Sequence, residues 1–386
     1  MEKIRLAILG TGSRGAYLGT TYAAHPQTEV VAMCDIADNY AANAAAQLKE
    51  KTGQEAKIFT SYEEMVKNSA YDAILIACDP DIQVQYAVEE MNRGIHVMTE
   101  VPATYTIDQC WDLVNTVKKT GAKYQLAEQT RYWHFIAQWR KMVAEGKIGK
   151  VFYAEGEYLH YENTWDYFRN KKTGARIWTA DPSYHNNPDW ETTWRYRAFM
   201  DPIWYLPHEL SPLLSITGGR IEKVSCLGTR QGSYCHEGFA TRDLECALMY
   251  NSNDTIFSLR AGFTAPYGRK AHTSSHWYQL KGSEGSLEWA RSTEDVGKMY
   301  TREEGWSNHP EWGCADPEAS EIFKNTGHGG ADFYPIYYFI DSILNDKTPP
   351  MDVYKAVETA APAIMAYESA RQNGALLEVP DFRDAK

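Results

Sequence analysis

The chain has 386 residues, long enough for two domains, and carries a net charge of −12 with a sequence pI near 5.5. Nucleic acid and anionic membrane both call for a basic face, so neither is expected as a main partner, and a neutral or small substrate fits better. Seven cysteines, an odd number with no CxxC pair, read as reduced thiols and not as a disulfide framework or a metal site.

Reduced thiols point to a cytoplasmic setting; the opening "MEKIRLAILG" runs straight into an apolar strand and no run of eighteen apolar residues follows, with a removed export signal left open. Up to residue 128, short apolar runs alternate with helical patterns, as in repeated βα units on a parallel sheet. The expected strands are 4–10, 29–35, 56–60, 72–78, 96–100 and 123–129. Ser61 with Glu64 and Thr106 with Gln109 read as capping boxes, and Gly94 and Gly121 as helix stops.

After the first strand comes "GTGSRG", with Gly10, Gly12 and Gly15 framing Ser13 and Arg14. In such a turn the first glycine permits the bend and the second lets a pyrophosphate approach. The third lets helix and strand pack closely, and the phosphates sit on the helix N-terminus. Asp35, twenty residues beyond Gly15 at the end of the second strand, suits the two ribose hydroxyls and repels a 2'-phosphate, so NAD is expected over NADP. Arg14 lies along the pyrophosphate or covers the first helix with its stem. Asp79, Pro80, Gln83 and His96 are read near the carboxyl ends of strands four and five, where open α/β sheets bind ligands. Asp79 is equally readable as a helix N-cap. Glu100 and Gln129, closing the fifth and sixth strands, complete the expected cofactor residues.

From Arg131 the pattern changes. A helix is expected over 132–145, followed by period-two runs that suggest a large, open, mainly antiparallel sheet, with a terminal helix over 354–372 packing back. The fold class is therefore α/β: a Rossmann domain over 1–130 and an α+β domain for substrate and oligomer contacts over 131–386. The stretch from Glu162 to Pro212 is irregular and holds Trp165, Trp178, Trp190, Trp194 and Trp204; one or two are expected to touch sugar and the others to pack. His272 and His276 have the spacing of a helical zinc pair, but they fall in a strand pattern that separates them by about 13 Å, too far to share a metal. Glu155 and Glu157 are read as a solvated strand face.

The strand order, the glycine turn and the "TEVPA" corner resemble the glucose-fructose oxidoreductase and inositol dehydrogenase family, over nearly the whole chain. Its usual members read Glu-Lys-Pro where this chain has Glu100, Val101 and Pro102. One branch, the NAD-dependent glycosidases of glycoside hydrolase family 109, is similar at five points in the same order. These are "GTGSRG", "EVPA" (Glu100 to Ala103), Trp194 and Arg195 ahead of "YLPHELSP" (Tyr205 to Pro212), "APYGRK" with Tyr267 and Arg269, and "HGGADF" from His328 to Phe333. Those glycosidases usually read Tyr-Pro-Thr-His-Gly-Leu-Gly-Pro, where this chain has Leu206, Pro207, Glu209 and Ser211, so their substrate is not carried over.

The resemblance implies a tightly held, recycled NAD and a reaction without net oxidation: carbon 3 of a sugar is transiently oxidised, a base takes the carbon 2 proton, the group on carbon 1 leaves, water adds and the hydroxyl is restored. It implies Tyr205, His208 and Tyr267 as the catalytic set, with acid and base roles open between them. Trp194, Arg195, Arg269 and His328 would lie on the substrate side. "HGG" is equally readable as a plain loop entering the apolar helix "FYPIYYFIDSIL". The alternatives are an ordinary NAD-linked sugar dehydrogenase with His208 as base, and a non-catalytic NAD-dependent sugar sensor. A small-molecule glycoside and a homo-oligomer are the expected partners, the latter by family analogy, and neither nucleic acid nor membrane is expected.

Overall fold

In the computed structural model, the described residues are 3–160, 167–173, 175–177, 179, 181–193, 195, 200–235, 241–264 and 276–383. They form two compact units, one of residues 1–129, 315–357 and 382–386, the other of 130–314 and 358–381.

In the first unit, β1 (Ile4–Leu9), β2 (Thr28–Cys34), β3 (Lys57–Phe59), β4 (Ala73–Ile76), β5 (His96–Thr99) and β6 (Tyr124–Leu126) form one sheet in the order β3-β2-β1-β4-β5-β6. All its ladders are parallel. That order reverses direction at β1, and the crevice there is where such sheets take ligands. The covering helices are α1 (Ser13–Ala23), α2 (Asp38–Thr52), α3 (Tyr62–Asn68), α4 (Gln83–Asn92) and α5 (Ile107–Thr120). Thr106 and Gln109 form a full capping box on α5, whereas Ser61 caps α3 by accepting from the Glu64 N–H. His96 opens β5 and does not close it; its Nδ1 accepts from the Lys123 N–H (3.1 Å), so it sits away from the crevice edge.

Residues 315–357, read from the sequence as part of the second domain, join the first unit. The reason is the apolar helix Phe333–Leu344. Its Ile336, Phe339 and Ile340 enter the buried cluster built by Ile4, Leu6, Ile8, Leu18 and Tyr22.

The second unit starts with α6 (His134–Ala144) and has a nine-stranded sheet. Its strands are β7 (Val151–Leu159), β11 (Ile221–Gly228), β12 (Glu245–Asn251), β13 (Thr255–Gly262), β14 (His276–Gly282), β15 (Gly285–Glu288), β16 (Gly297–Thr301), β17 (Gly305–His309) and β18 (Leu377–Glu378). The order is β17-β16-β15-β14-β7-β13-β12-β11-β18, antiparallel throughout except for β7 and β13. A small separate sheet of β8 (Phe168–Asn170), β9 (Arg176–Ile177) and β10 (Trp190–Thr192) lies in the aromatic stretch. The helix α7 (Pro207–Thr217) covers one face of the large sheet near β7. The helix expected at the end forms over Val353–Arg371. No helix among the described residues is long and apolar enough to cross a membrane.

Phe339 is fully buried and meets Tyr22 edge-on at 6.4 Å. Phe339→Ala is expected to lower stability by about 3–5 kcal/mol, read as a drop in the urea midpoint with unchanged slope.

Candidate active site

The glycine turn has the shape its sequence calls for. A Cβ on Gly15 would lie 1.9 Å from the Gly10 carbonyl oxygen, and one on Gly10 would lie 2.4 Å from that of Ala77, so neither position takes a side chain. A Cβ on Gly12 would meet nothing within 4 Å. Packing therefore explains the outer glycines, while the middle one opens on space suited to a pyrophosphate. Gly12 is also the N-cap of α1, which has no acidic residue in its own first turn, so the positive end of the helix is turned to this space. Asp35 follows β2 with one carboxylate oxygen 2.7 Å from the Thr11 amide and the other 3.0 Å from that of Ala37. This fixes the acid beside the turn, and the group fits the ribose end of NAD. Asp79 lies just past β4, but the N-cap of α4 is Ile82, so the helix-cap reading does not hold. Gln129 is buried a little beyond β6.

At the corner after β5, the Val101–Pro102 bond is cis, and Gln83 Nε2 donates to the carbonyls of Glu100 and Pro102 (both 2.9 Å). Arg14 turns toward this corner. Its Nε lies 2.7 Å from Glu100 Oε1 and its Nη2 lies 2.8 Å from Asp332 Oδ1. Asp332 in turn meets His328 Nδ1 at 2.9 Å. Glu100 and Arg14, both read as cofactor residues, are thus paired with each other, and His328, read on the substrate side, is held within the first unit. Burial alone would raise the Asp332 carboxyl, but the bond to His328 and the Arg14 charge outweigh it and hold the group well below its ordinary range.

In the second unit, Tyr205 ends a 3-10 turn (Pro202–Tyr205) and His208 lies in the first turn of α7. Both rings pack around Tyr158 near the end of β7, at centroid distances of 5.9 and 5.2 Å. His160 is 4.5 Å from the same ring, and His276, directly opposite Tyr158 on β14, is also at 4.5 Å. Phe263 closes the group against Tyr205 at 4.7 Å. The backbone of His208 is fixed as well. Its carbonyl would normally accept from residue 212, but that is Pro212, which has no N–H. The oxygen instead accepts from Thr130 Oγ1 (2.7 Å) and the Tyr278 hydroxyl (3.0 Å).

Tyr205 and His208 are thus brought together, while Trp194, Tyr267, Arg269 and His272 lie outside the described residues. Arg195 is described and partly buried. Trp190 packs on the small Tyr167 and Phe168 cluster, and Trp204 lies 3.8 Å from Tyr367. Sequence reasoning passed over Tyr158 and His160, noted Glu209 only as a departure from the family pattern, and took up His276 only to set aside a metal pair. The period-two run "EYLHY" put Tyr158 and His160 on one face and could have flagged them. Glu155 and Glu157 are not on a solvated face: Arg260 pairs with both, and Glu157 is only 2% exposed.

An NAD-type sheet and turn followed by a large open sheet with a ring cluster define a two-domain nucleotide-dependent enzyme class. The family models agree: "Oxidoreductase family, NAD-binding Rossmann fold" matches residues 4–128 and "Oxidoreductase family, C-terminal alpha/beta domain" matches residues 140–379. The chain belongs to this oxidoreductase family, that of glucose-fructose oxidoreductase and inositol dehydrogenase, and its first unit is an NAD-binding domain. It is similar to an alpha-N-acetylgalactosaminidase of Tannerella forsythia, 25% identical over 98% of this chain and 86% of the relative. It is also similar to glycosyl hydrolase family 109 protein 4 of Phocaeicola vulgatus, 26% identical over 99% and 78%. In fold it resembles a levoglucosan dehydrogenase solved with NADH and L-sorbose, with TM-score 0.76 at 18% identity over 98% of this chain and 100% of that one. Myo-inositol 2-dehydrogenase of Lactobacillus plantarum gives a TM-score of 0.72 at 18% identity over 98% and 100%.

Asp332→Asn removes the shared carboxylate from Arg14 and His328 and is expected to cost about 2–3 kcal/mol at neutral pH. A carboxyl depressed on folding stabilises above its unfolded value of about 3.9 and loses that contribution as pH falls through its folded value. Urea unfolding from neutral to acid pH should therefore find wild type and variant well apart at pH 7, the gap beginning to narrow below about pH 4 but still open at pH 3, because the folded carboxyl is held well below its ordinary range.

Proposed function

We propose that this chain is an NAD-dependent glycoside hydrolase. In this reading carbon 3 of a bound sugar is transiently oxidised, the group on carbon 1 is eliminated, water adds and the hydroxyl is restored. The carrying observation is the gathering of Tyr205 and His208 with Tyr158 and His160, in a chain that follows Glu100 with valine and so lacks a lysine there. The two glycosidase-named relatives described above, aligned over nearly the whole chain, support the reading.

NAD, when bound, supplies the reversible oxidation at carbon 3. The first unit would hold it with Gly10, Gly12, Ser13, Arg14, Gly15 and Asp35, together with Asp79, Glu100 and Gln129. The second unit would receive the sugar. His208 serves the carbon 3 hydroxyl or the leaving group, and Tyr205 or Tyr267 serves as the carbon 2 base, with the assignment open to exchange. A phenol ionises near pH 10 unless a cation helps it, a part suited to Arg195 or Arg269. Trp194 completes the substrate side. Elimination tolerates either anomer, so the reading names a glycoside without naming the sugar.

The open face of the large sheet exposes Leu227, Leu248, Tyr250 and Ile256 on three adjacent strands, which supports a homo-oligomer.

The test is an aryl glycoside panel in deuterated water with NAD, followed by NMR. Expected are release of the phenol, deuterium at carbon 2 and no net cofactor reduction. Stoichiometric reduction without phenol release would make the chain a dehydrogenase, and hydrolysis without exchange would remove the elimination step. His208→Ala should abolish turnover, by at least about a hundredfold, while NAD remains bound.

A further inference from the structure

Beside His208 lies a buried carboxylate that the reaction as written does not use. Glu209, the next residue on α7, is 0% exposed. It fits because Gly156 on β7 lies opposite, where a Cβ would be 2.9 Å from the Glu209 Cγ. Its Oε1 is 2.8 Å from Nδ1 of His276, itself 5% exposed. A carboxylate at this distance holds the proton on Nδ1, which makes Nε2 the basic nitrogen of the ring. Among the described residues, the titratable groups around His276 are Tyr158 and His160 from β7, His208 and Glu209 from α7, and Tyr278 from its own strand. The His208 ring stands edge-on to it at 5.9 Å. On His276 a second proton would be matched by the Glu209 charge, so the pair can gain and lose a proton with its charge balanced in place.

We propose that Glu209 and His276 form the proton store of this site, positioning residues that act through His208 and Tyr158 and do the work of the missing lysine. The inference rests on the function proposed above. Oxidation of a secondary alcohol breaks its C–H and O–H bonds: the C–H electron pair goes to the oxidised nicotinamide, the O–H pair becomes the second C–O bond, and one proton is set free. That proton moves through the ring cluster to His276 Nε2, and it returns to the oxygen when the hydroxyl is restored. No further reactant is needed.

The first experiment needs no turnover: nitrogen-15 histidine labelling of the wild-type protein, with the His276 tautomer read by NMR across a pH titration. A single proton on Nδ1 at high pH, with Nε2 gaining its proton on acidification, is expected; a proton resident on Nε2 at high pH overturns the proposal. The second is Glu209→Gln, which keeps the hydrogen-bonding shape and removes the charge. In the wild-type background of measurable hydrolysis, kcat should fall about a hundredfold with KM within about threefold and the pH profile displaced, and Glu209→Asp should restore part of kcat. An active protein whose Glu209→Gln variant keeps its kcat and pH profile refutes the store while leaving the glycosidase reading intact. A protein without hydrolysis refutes that reading, and the tautomer measurement still decides whether the pair exists as drawn. If Glu209→Gln does not fold, His276→Asn takes its place with the same kinetic criteria, and the wild-type titration stands alone if neither variant folds.

Discussion

A proline without an N–H organises the ring cluster. Pro212 cannot donate to the carbonyl of His208, and a carbonyl buried without a partner would cost about 1–3 kcal/mol. The oxygen is taken up by Thr130 and by Tyr278, one just ahead of α6 and the other on β14. Two hydroxyls from remote parts of the chain thereby fix the first turn of α7 against the sheet. The side chain of His208 follows from that backbone, and with it the neighbouring Glu209, which α7 presents at its own N-terminal turn, where a negative charge is favoured. Tyr158 needs no such anchor, since the register of β7 with β14 already sets it opposite His276.

The corner at Glu100 follows a different logic. In a relative with lysine next to this glutamate, the local charge would be supplied by the neighbour in sequence. Here it comes from Arg14, placed by the helix that opens after the glycine turn, and Asp332 receives the other side of the same guanidinium. Burial alone would lower the Arg14 guanidinium, and the two carboxylates outweigh it and raise it, so the charge stays fixed. An arginine so held is a permanent cation and a poor proton carrier. The proton chemistry proposed for the chain accordingly falls to phenol and imidazole groups, which the second unit supplies in close packing.

Much of the first unit was legible in the sequence because its signals are local. A glycine turn, an acid twenty residues on and apolar runs of strand length each name their own place, and five of the six strands form within a residue or two of where they were expected, the sixth stopping three residues short at Leu126. The exceptions come from long-range packing. Nothing local told that the helix Phe333–Leu344 would return to the first unit, since an apolar face fits either core equally well. His96 was read near the carboxyl end of its strand although it opens the expected run 96–100 as it opens β5. In the second unit Tyr205 and His208 were legible by their spacing and by resemblance. His276 was not, because its partner is Glu209, 67 residues away, and the spacing to His272 drew attention to metal binding instead. Pairing across a sheet is fixed by register, and register is a property of strands together.

The buried charges of the second unit bear on why such pairs persist. Asp201, at the N-cap of the turn that carries Tyr205, and Glu245 on β12 are both fully buried beside Arg242, at 3.9 and 3.8 Å from its Nε. Burial raises both carboxyls, and each acid also spends an oxygen on backbone: Glu245 accepts from the Ile203 N–H (3.0 Å) and Asp201 from that of Arg242 (3.2 Å). Apolar side chains of similar volume often replace such clusters at no loss of stability, so folding alone does not account for them. What an apolar replacement lacks is direction. Glu245 holds the Ile203 N–H just after Pro202, and Asp201, just before it, is tied through its carboxylate to the Arg242 N–H; together they fix where the 3-10 turn begins, and that start fixes the position of Tyr205 beside Tyr158. The desolvation of Asp201, Glu245 and Glu209 has one common result, phenol and imidazole groups held in a single arrangement.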